Sequence, residues 1–244
     1  MSETPATAMV LAAGLGTRMR PLTNDRPKAL VEVGGRALID HVLDRLAEAG
    51  VGRVVVNVHA FADLLEAHLA RRRDLEVVIS DERDVLLETG GGLRRARHLL
   101  GDAPILVANI DTLWTDAALI PNLVAAWDAD RMDDLLLVVP LERAMGFDGP
   151  GDFFIDAEKR LDHRAGRPAA PLVYMGVHML DPRLIDAWPQ TRHGIFDHWM
   201  GFARAGRLRG VVADGLWMHV GDPQAREAAE AELAKGERSQ CTRG

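Results

Sequence analysis

The apolar run from Ala8 to Ala13 leads directly into Gly14-Leu15-Gly16-Thr17-Arg18, and this junction restricts the fold more than any other part of the chain. A short apolar run closed by glycines reads as a buried strand. Two glycines at the strand's end let the backbone bend and leave amide N–H groups uncovered. Successive exposed amides make an anion-binding concavity. Arg18 adds a planar fork that matches phosphate oxygens, and Lys28 adds a compact point charge one short loop later. A strand, a cradle and two cations in one short segment describe a polyphosphate site.

Two well-known glycine loops are excluded. No Gly-Lys-Ser/Thr follows, so this is not a Walker loop. Met19 stands where the third glycine of the dinucleotide fingerprint belongs. Charge sharpens the reading. A formal net charge of −7 argues against general nucleic-acid binding. An acidic protein that binds anions must concentrate its positive charge, and Arg18, Arg20, Arg26 and Lys28 cluster around the loop. Only three of the 29 basic residues are lysines, Lys28, Lys159 and Lys235, so an ammonium at position 28 stands out against an arginine background. The single cysteine, Cys241, excludes an internal disulfide and a zinc cluster. No apolar stretch is long enough to span a bilayer, and Met1 to Thr7 lacks the apolar region of a signal peptide, so a cytoplasmic location with no membrane partner is expected.

Strand and helix patterns alternate along the first half. Strands are expected at Arg53–Val58, Leu75–Ser80, Pro104–Ala108 and Leu135–Val139. Helices are expected at Arg36–Ala49, Phe61–Arg72, Gly91–Leu100 and Ala117–Asp128. Such alternation implies an α/β fold with a mostly parallel sheet covered on both faces. After Pro140 the rhythm shortens, with antiparallel strands expected at Asp152–Ile155, Arg160–His163 and Leu172–Met179. Helix Phe196–Ala205, strand Leu208–Ala213 and helix Pro223–Ala234 close the pattern. A chain of 244 residues then holds a single domain over 8–234. Its halves are 8–140 for nucleotide and 141–222 for the acceptor, and 235–244 reads as a flexible tail.

The full string Leu11-Ala12-Ala13-Gly14-Leu15-Gly16-Thr17-Arg18-Met19-Arg20-Pro21-Leu22-Thr23, followed by Pro27-Lys28-Ala29-Leu30, resembles the signature of the sugar-1-phosphate nucleotidyltransferases. The resemblance spans about Met9 to Glu232. It implies a Rossmann-like, three-layer, GT-A-like fold with a mixed central sheet and a small antiparallel acceptor subdomain. The implied reaction joins a sugar 1-phosphate to the α-phosphate of a nucleoside triphosphate and releases pyrophosphate. By resemblance, Leu11, Ala12, Ala13, Gly14, Gly16, Thr17 and Arg18 bind the nucleotide. Lys28 touches the α-phosphate and the incoming sugar phosphate. Arg18, Lys28 and Asp111 form the catalytic set. Asp111 follows the apolar strand through Asn109, where open α/β sheets bind ligands, and the family places a magnesium ligand there. An N-cap to the following helix is the plainer role for Asp111.

The chain departs from the family near its end. The family pattern Trp-x-Asp-x-Gly-Thr reads here Trp217-Met218-His219-Val220-Gly221-Asp222, with His219 in the metal-binding aspartate's place. Imidazole is a poor first choice for magnesium. Four readings stay open. Asp222 reaches the ion; His219 binds through water; manganese replaces magnesium; or the ion has fewer protein ligands. Asp222 before Pro223 equally suits a helix N-cap.

Leu87-Glu88-Thr89-Gly90-Gly91-Gly92 resembles the family's base-contacting loop, which implicates Thr89, Gly90, Gly91 and, upstream, Glu82 as an acceptor for a base N–H. A strand-to-helix turn and a surface glutamate are the plainer roles. The family's acceptor region aligns with Gly151, Asp152, Tyr174 and Gly176, and Asn109 joins the nucleotide set. The Glu-Lys-Pro triplet of many relatives is absent near His163–Pro168, which leaves Arg164 or Arg167 as stand-ins for a phosphate-binding lysine. Within the family, the glycine triplet and the Trp-Met-His-Val-Gly ending are most similar to the branch that uridylylates N-acetylmuramate 1-phosphate in peptidoglycan recycling. Guanylylation of mannose 1-phosphate, cytidylylation of a phosphocholine-type alcohol and a non-catalytic nucleotide-sugar-binding role are the alternatives. A monomer or small homo-oligomer is expected.

Overall fold

Valine at positions 54, 55, 56 and 58 makes a β-branched run that packs well only on a pleated surface, and it forms one strand of a nine-stranded sheet. The computed structural model describes residues 4–241. In chain order the elements are β1 (Thr7–Leu11), β2 (Glu32–Val33), β3 (Arg36–Ala37), α1 (Leu38–Glu48), β4 (Arg53–Val58), α2 (Ala62–Leu69) and β5 (Glu76–Asp81). Then come α3 (Glu88–Leu100), β6 (Ile105–Asn109), β7 (Thr112–Trp114), α4 (Leu119–Ala126), β8 (Asp134–Pro140), β9 (Ala144–Met145), β10 (Phe153–Ile155) and β11 (Leu161–His163). The chain ends with β12 (Leu172–Leu180), α5 (Phe196–Arg204), β13 (Leu208–Val212), β14 (Trp217–His219) and α6 (Pro223–Cys241).

The central strands lie in the order β5-β4-β1-β6-β12-β8-β13. All run parallel except β12, which is antiparallel to both β6 and β8. Alternate residues face opposite layers. Ala8, Val10, Val54 and Val56 point toward α1, α2 and α4, while Met9, Val55 and Val107 point toward α3 and α5. The result is the expected α/β three-layer arrangement with a mixed, mostly parallel sheet. The antiparallel strands β10 and β11 extend this same sheet from the start of β12, so residues 141–222 share one sheet with residues 8–140. Asp134, fully buried at the start of β8, accepts from His178 Nδ1 (2.7 Å) on β12 and Trp199 Nε1 (2.8 Å) on α5, which ties the second helical layer to the sheet.

A smaller sheet, β7-β14-β9, stands beside the cleft. With α6 it covers a third core cluster of Met19, Val31, Leu38, Leu113, Met218 and Val220. Helix α6 continues to Cys241, past the expected boundary at 235. Lys235, Glu237, Arg238 and Gln240 in that stretch are good helix formers. Residues 242–244 lie outside the described residues, as do 1–3.

Candidate active site

The C-terminal ends of β1, β4 and β6 open on one edge of the sheet, and a cleft of about 450 Å³ lies there. Leu11, Asn57 and Asn109 reach it from these strands; Ala13, Gly14, Gly16, Thr17 and Arg18 form its rim. Gly16 is required twice over. Its φ of +61° falls in the left-handed region, and a Cβ there would lie 2.8 Å from Lys28 Cβ. Its carbonyl accepts from Met19 N and Thr23 Oγ1, both at 2.9 Å, which closes a tight turn over Thr17–Met19. Arg18 leaves this turn exposed and, among the described residues, makes no hydrogen bond or ion pair with the protein. An unpaired guanidinium on a cleft rim suits an anionic ligand.

Lys28 lies nearly buried on the cleft floor, its Nζ 2.8 Å from Asp111 Oδ2. Asp111 follows β6 and is locked from behind, because Val220 N donates to its backbone carbonyl at 2.9 Å. The pairing of β7 with β14 sets His219 opposite Thr112, beside Asp111. Burial works to raise the Asp111 carboxyl, but the Lys28 ammonium and the nearby His219 overcome it and hold the group below its ordinary value. Burial pushes His219 down, Lys28 and Arg18 reinforcing and Asp111 opposing, so the imidazole favours its neutral form. Asp222 has another role: its Oδ1 accepts from Ala225 N at 2.8 Å and caps α6. Of the two candidates to complete a metal site, His219 is therefore the one beside Asp111.

Other expected residues fall differently. Ala12 N and Ala13 N both donate to Asn57 Oδ1, at 2.6 and 3.2 Å, so these amides are committed within the protein. Glu82, expected to meet a base, is fully buried and does not reach the cleft. It accepts instead from Asn57 Nδ2 at 2.8 Å and from Leu87 N at 3.4 Å. Asn57 escaped the sequence reading, although a polar residue inside a valine strand is the signal that marks it.

The glycine triplet is not a loop. Glu88 already begins α3, at φ +62°, and Gly90 N and Gly91 N donate to His193 O at 3.0 Å. A Cβ at Gly90 would lie 2.5 Å from the His193 ring, at Gly91 2.8 Å from Thr191 O, and at Gly92 2.8 Å from Glu82 Oε1. These glycines let chain approach chain. Leu86, Glu88 and Thr89 supply the cleft wall here. Arg192 donates to Glu88 Oε1, and Thr89 Oγ1 accepts from Ile195 N at 2.9 Å.

Asn109, expected in the nucleotide set, lines the cleft, and Gly176, expected to meet the acceptor, packs behind it, with φ +82° and a Cβ position only 3.2 Å from Asn109 Nδ2. Gly151, Asp152 and Tyr174 do not line that cleft. Gly151 packs on Ala170 O and accepts from Arg164 Nε at 3.1 Å, while Asp152 Oδ2 accepts from Tyr174 N at 2.9 Å. Burial raises both the Asp152 and Tyr174 side chains above their ordinary values. Arg164 and Arg167 are spent on backbone carbonyls and on Asp162, so neither stands in for a phosphate-binding lysine.

Residues 8–195 match the model of the MobA-like NTP transferase domain family, which spans the cleft's glycine rim, Lys28 and Asp111. The chain belongs to that family. This MobA-like chain is 52% identical, over 96% of its own length and 100% of the other's, to an N-acetylmuramate α-1-phosphate uridylyltransferase of Caulobacter vibrioides. It is 29% identical to a mannose-1-phosphate guanyltransferase of Neurospora crassa, over 89% of this chain but 61% of that one. The crystal structure of HddC from Yersinia pseudotuberculosis superposes with a TM-score of 0.76 over 96% of this chain and 100% of that chain, at 21% identity, which establishes the shared fold. This MobA-like chain is thus a nucleotidyltransferase of the sugar-1-phosphate class.

Proposed function

We propose that the enzyme transfers the uridylyl group of UTP to N-acetylmuramate 1-phosphate and releases pyrophosphate. The observation that carries this reading is the full-length 52% identity to a uridylyltransferase of that specificity, on a cleft that retains Arg18, Lys28 and Asp111. A phosphate oxygen of the sugar attacks the α-phosphorus, and the bond to the β-phosphate oxygen breaks as pyrophosphate leaves. Two anions must meet, so positioning and charge neutralisation supply most of the acceleration. The rim from Gly14 to Arg18 holds the β- and γ-phosphates. Lys28, oriented by Asp111, faces the α-phosphate and the incoming sugar phosphate, and its contact strengthens as charge builds on the bridging oxygen. No covalent enzyme intermediate is needed.

Magnesium belongs to this reading, with Asp111 as its protein carboxylate and neutral His219 beside it. Among the described residues no three His, Cys, Asp or Glu side chains converge as a metal cage. That sparseness suits magnesium, which keeps several waters and takes one or two carboxylates together with substrate phosphates. The ion would supply charge neutralisation on the triphosphate. Among the described residues no helix is long and apolar enough to cross a membrane, and dependence on UTP favours a cytoplasmic enzyme. Pyrophosphate release with UTP and N-acetylmuramate 1-phosphate tests the proposal. Faster release with GTP and mannose 1-phosphate, or with CTP and a phosphorylated alcohol, would replace it.

A further inference from the structure

Asn57 and Glu82 sit on or just beyond the neighbouring strands β4 and β5, at the point where the two walls of the nucleotide cleft diverge. One wall carries Ala13 and Gly14; the other carries Leu86, Glu88 and Thr89. Their hydrogen bonds converge between these walls. Asn57 Oδ1 accepts from the Ala12 and Ala13 amides, and Asn57 Nδ2 donates to Glu82 Oε1 at 2.8 Å. Glu82 Oε2 accepts from the backbone of Leu87, which lies between the lining residues Leu86 and Glu88 of the opposite wall. Gly92 is bare where a Cβ would press 2.8 Å from Glu82 Oε1 and 3.0 Å from Asn57 Nδ2. Asn57 is 2% exposed and Glu82 is 0% exposed, and among the described residues no ion pair joins Glu82 to a cation. A carboxylate buried among neutral donors is costly, and an apolar residue would fill the space with no such cost.

We propose that Asn57 and Glu82 are a coupled positioning pair that sets the spacing of the two cleft walls and thereby the affinity for the nucleoside triphosphate, without taking part in the chemical step. The inference rests on the reading that this cleft binds a triphosphate. The Lys28–Asp111 pair hangs on other elements, the turn after Pro27 and the end of β6. Loss of the Asn57–Glu82 pair therefore acts on nucleotide binding rather than on turnover.

The donor direction of the central bond gives a test that a merely space-filling role would not pass. Asn57→Asp sets carboxylate against carboxylate. Glu82→Gln removes the charge and turns the new amide N–H pair toward a donor, either Asn57 Nδ2 or Leu87 N. The double variant Asn57→Asp/Glu82→Gln reverses the central bond and restores every partner. The new carboxylate at position 57 still accepts from Ala12 N and Ala13 N. The new amide at position 82 donates to that carboxylate, and its oxygen accepts from Leu87 N. Calorimetry with UTP and magnesium, and steady-state kinetics with N-acetylmuramate 1-phosphate, should show each single variant weakening UTP binding and raising its KM about tenfold, with kcat within about twofold. The double variant should return both values to within about threefold of wild type. If the single variants fail to fold, the double variant decides alone, and it must fold and bind UTP. Single variants that bind UTP as tightly as wild type, single variants that lose kcat rather than affinity, or a double variant no better than the worse single overturn the proposal. A wild-type chain that binds no triphosphate overturns the functional reading itself and the pair's role with it, and the wild-type trace alone identifies that case.

Discussion

Lys28 Nζ stands 2.8 Å from Asp111 Oδ2 although 83 positions separate them in the chain. The pair joins the turn that follows the glycine rim to the end of β6. The sheet, by placing β6 directly beside β1, is what brings the cation to the carboxylate. Lys28→Ala and Asp111→Asn should each lower kcat on the order of 10²- to 10³-fold, while calorimetric affinity for the triphosphate changes far less for Lys28→Ala. A Lys28→Ala enzyme that turns over normally at saturating substrate would remove Lys28 from the chemistry.

Gly16→Ala meets two obstacles, the left-handed φ and the Lys28 Cβ at 2.8 Å. The variant should lose roughly 1–3 kcal/mol of stability and a large part of its triphosphate affinity, because the turn that carries Arg18 must shift. Thermal melting and calorimetry on the same sample check both. Unchanged values would mean that the rim tolerates a side chain there.

Asp222 and His219 separate by what their removal changes. Asp222→Ala deletes the cap on α6 and should cost about 1 kcal/mol, read as a lower Tm, with kcat nearly intact. His219→Ala should leave the cap alone and shift the divalent-ion concentration that supports half-maximal turnover. The reverse pattern would give the metal to Asp222.

Stability should depend on pH through Glu82. Burial pushes this carboxyl above its ordinary 4.5, against the pull of the Asn57 and Leu87 donors and of Arg95 and His59. The folded protein therefore binds the proton more tightly than the unfolded chain. The stability this contributes is complete below the ordinary value and is lost as pH rises through the raised one. The Tm of wild type relative to Glu82→Gln should fall from acidic to neutral pH. A difference that is flat or grows with pH would contradict the buried ionisable role.

What the chain discloses before folding is what depends on neighbours in sequence. Gly16, Arg18 and Lys28 are legible because one short segment must bend, expose amides and carry charge. Asp111 is legible because a carboxylate ends an apolar strand. Glu82 stands out in sequence only as a candidate base acceptor and Asn57 only as a polar residue in a valine strand, since their pairing arises only when β4 pairs with β5. The glycine triplet shows the limit differently: a glycine needed against a ligand looks the same in sequence as one needed against His193. Strands β7 and β14, three residues each, pair Trp114 with Trp217 across a separation no local pattern reveals, and that pairing sets His219 beside Asp111.

The most direct measurement is initial-rate pyrophosphate release across a grid of the common triphosphates and several phosphorylated acceptors, each with magnesium. UTP with N-acetylmuramate 1-phosphate should give the highest kcat/KM. Lys28→Ala and Asp111→Asn should abolish most of that rate. A higher kcat/KM for another pair would contradict the proposed specificity, and the absence of pyrophosphate from every well would contradict the enzyme reading altogether.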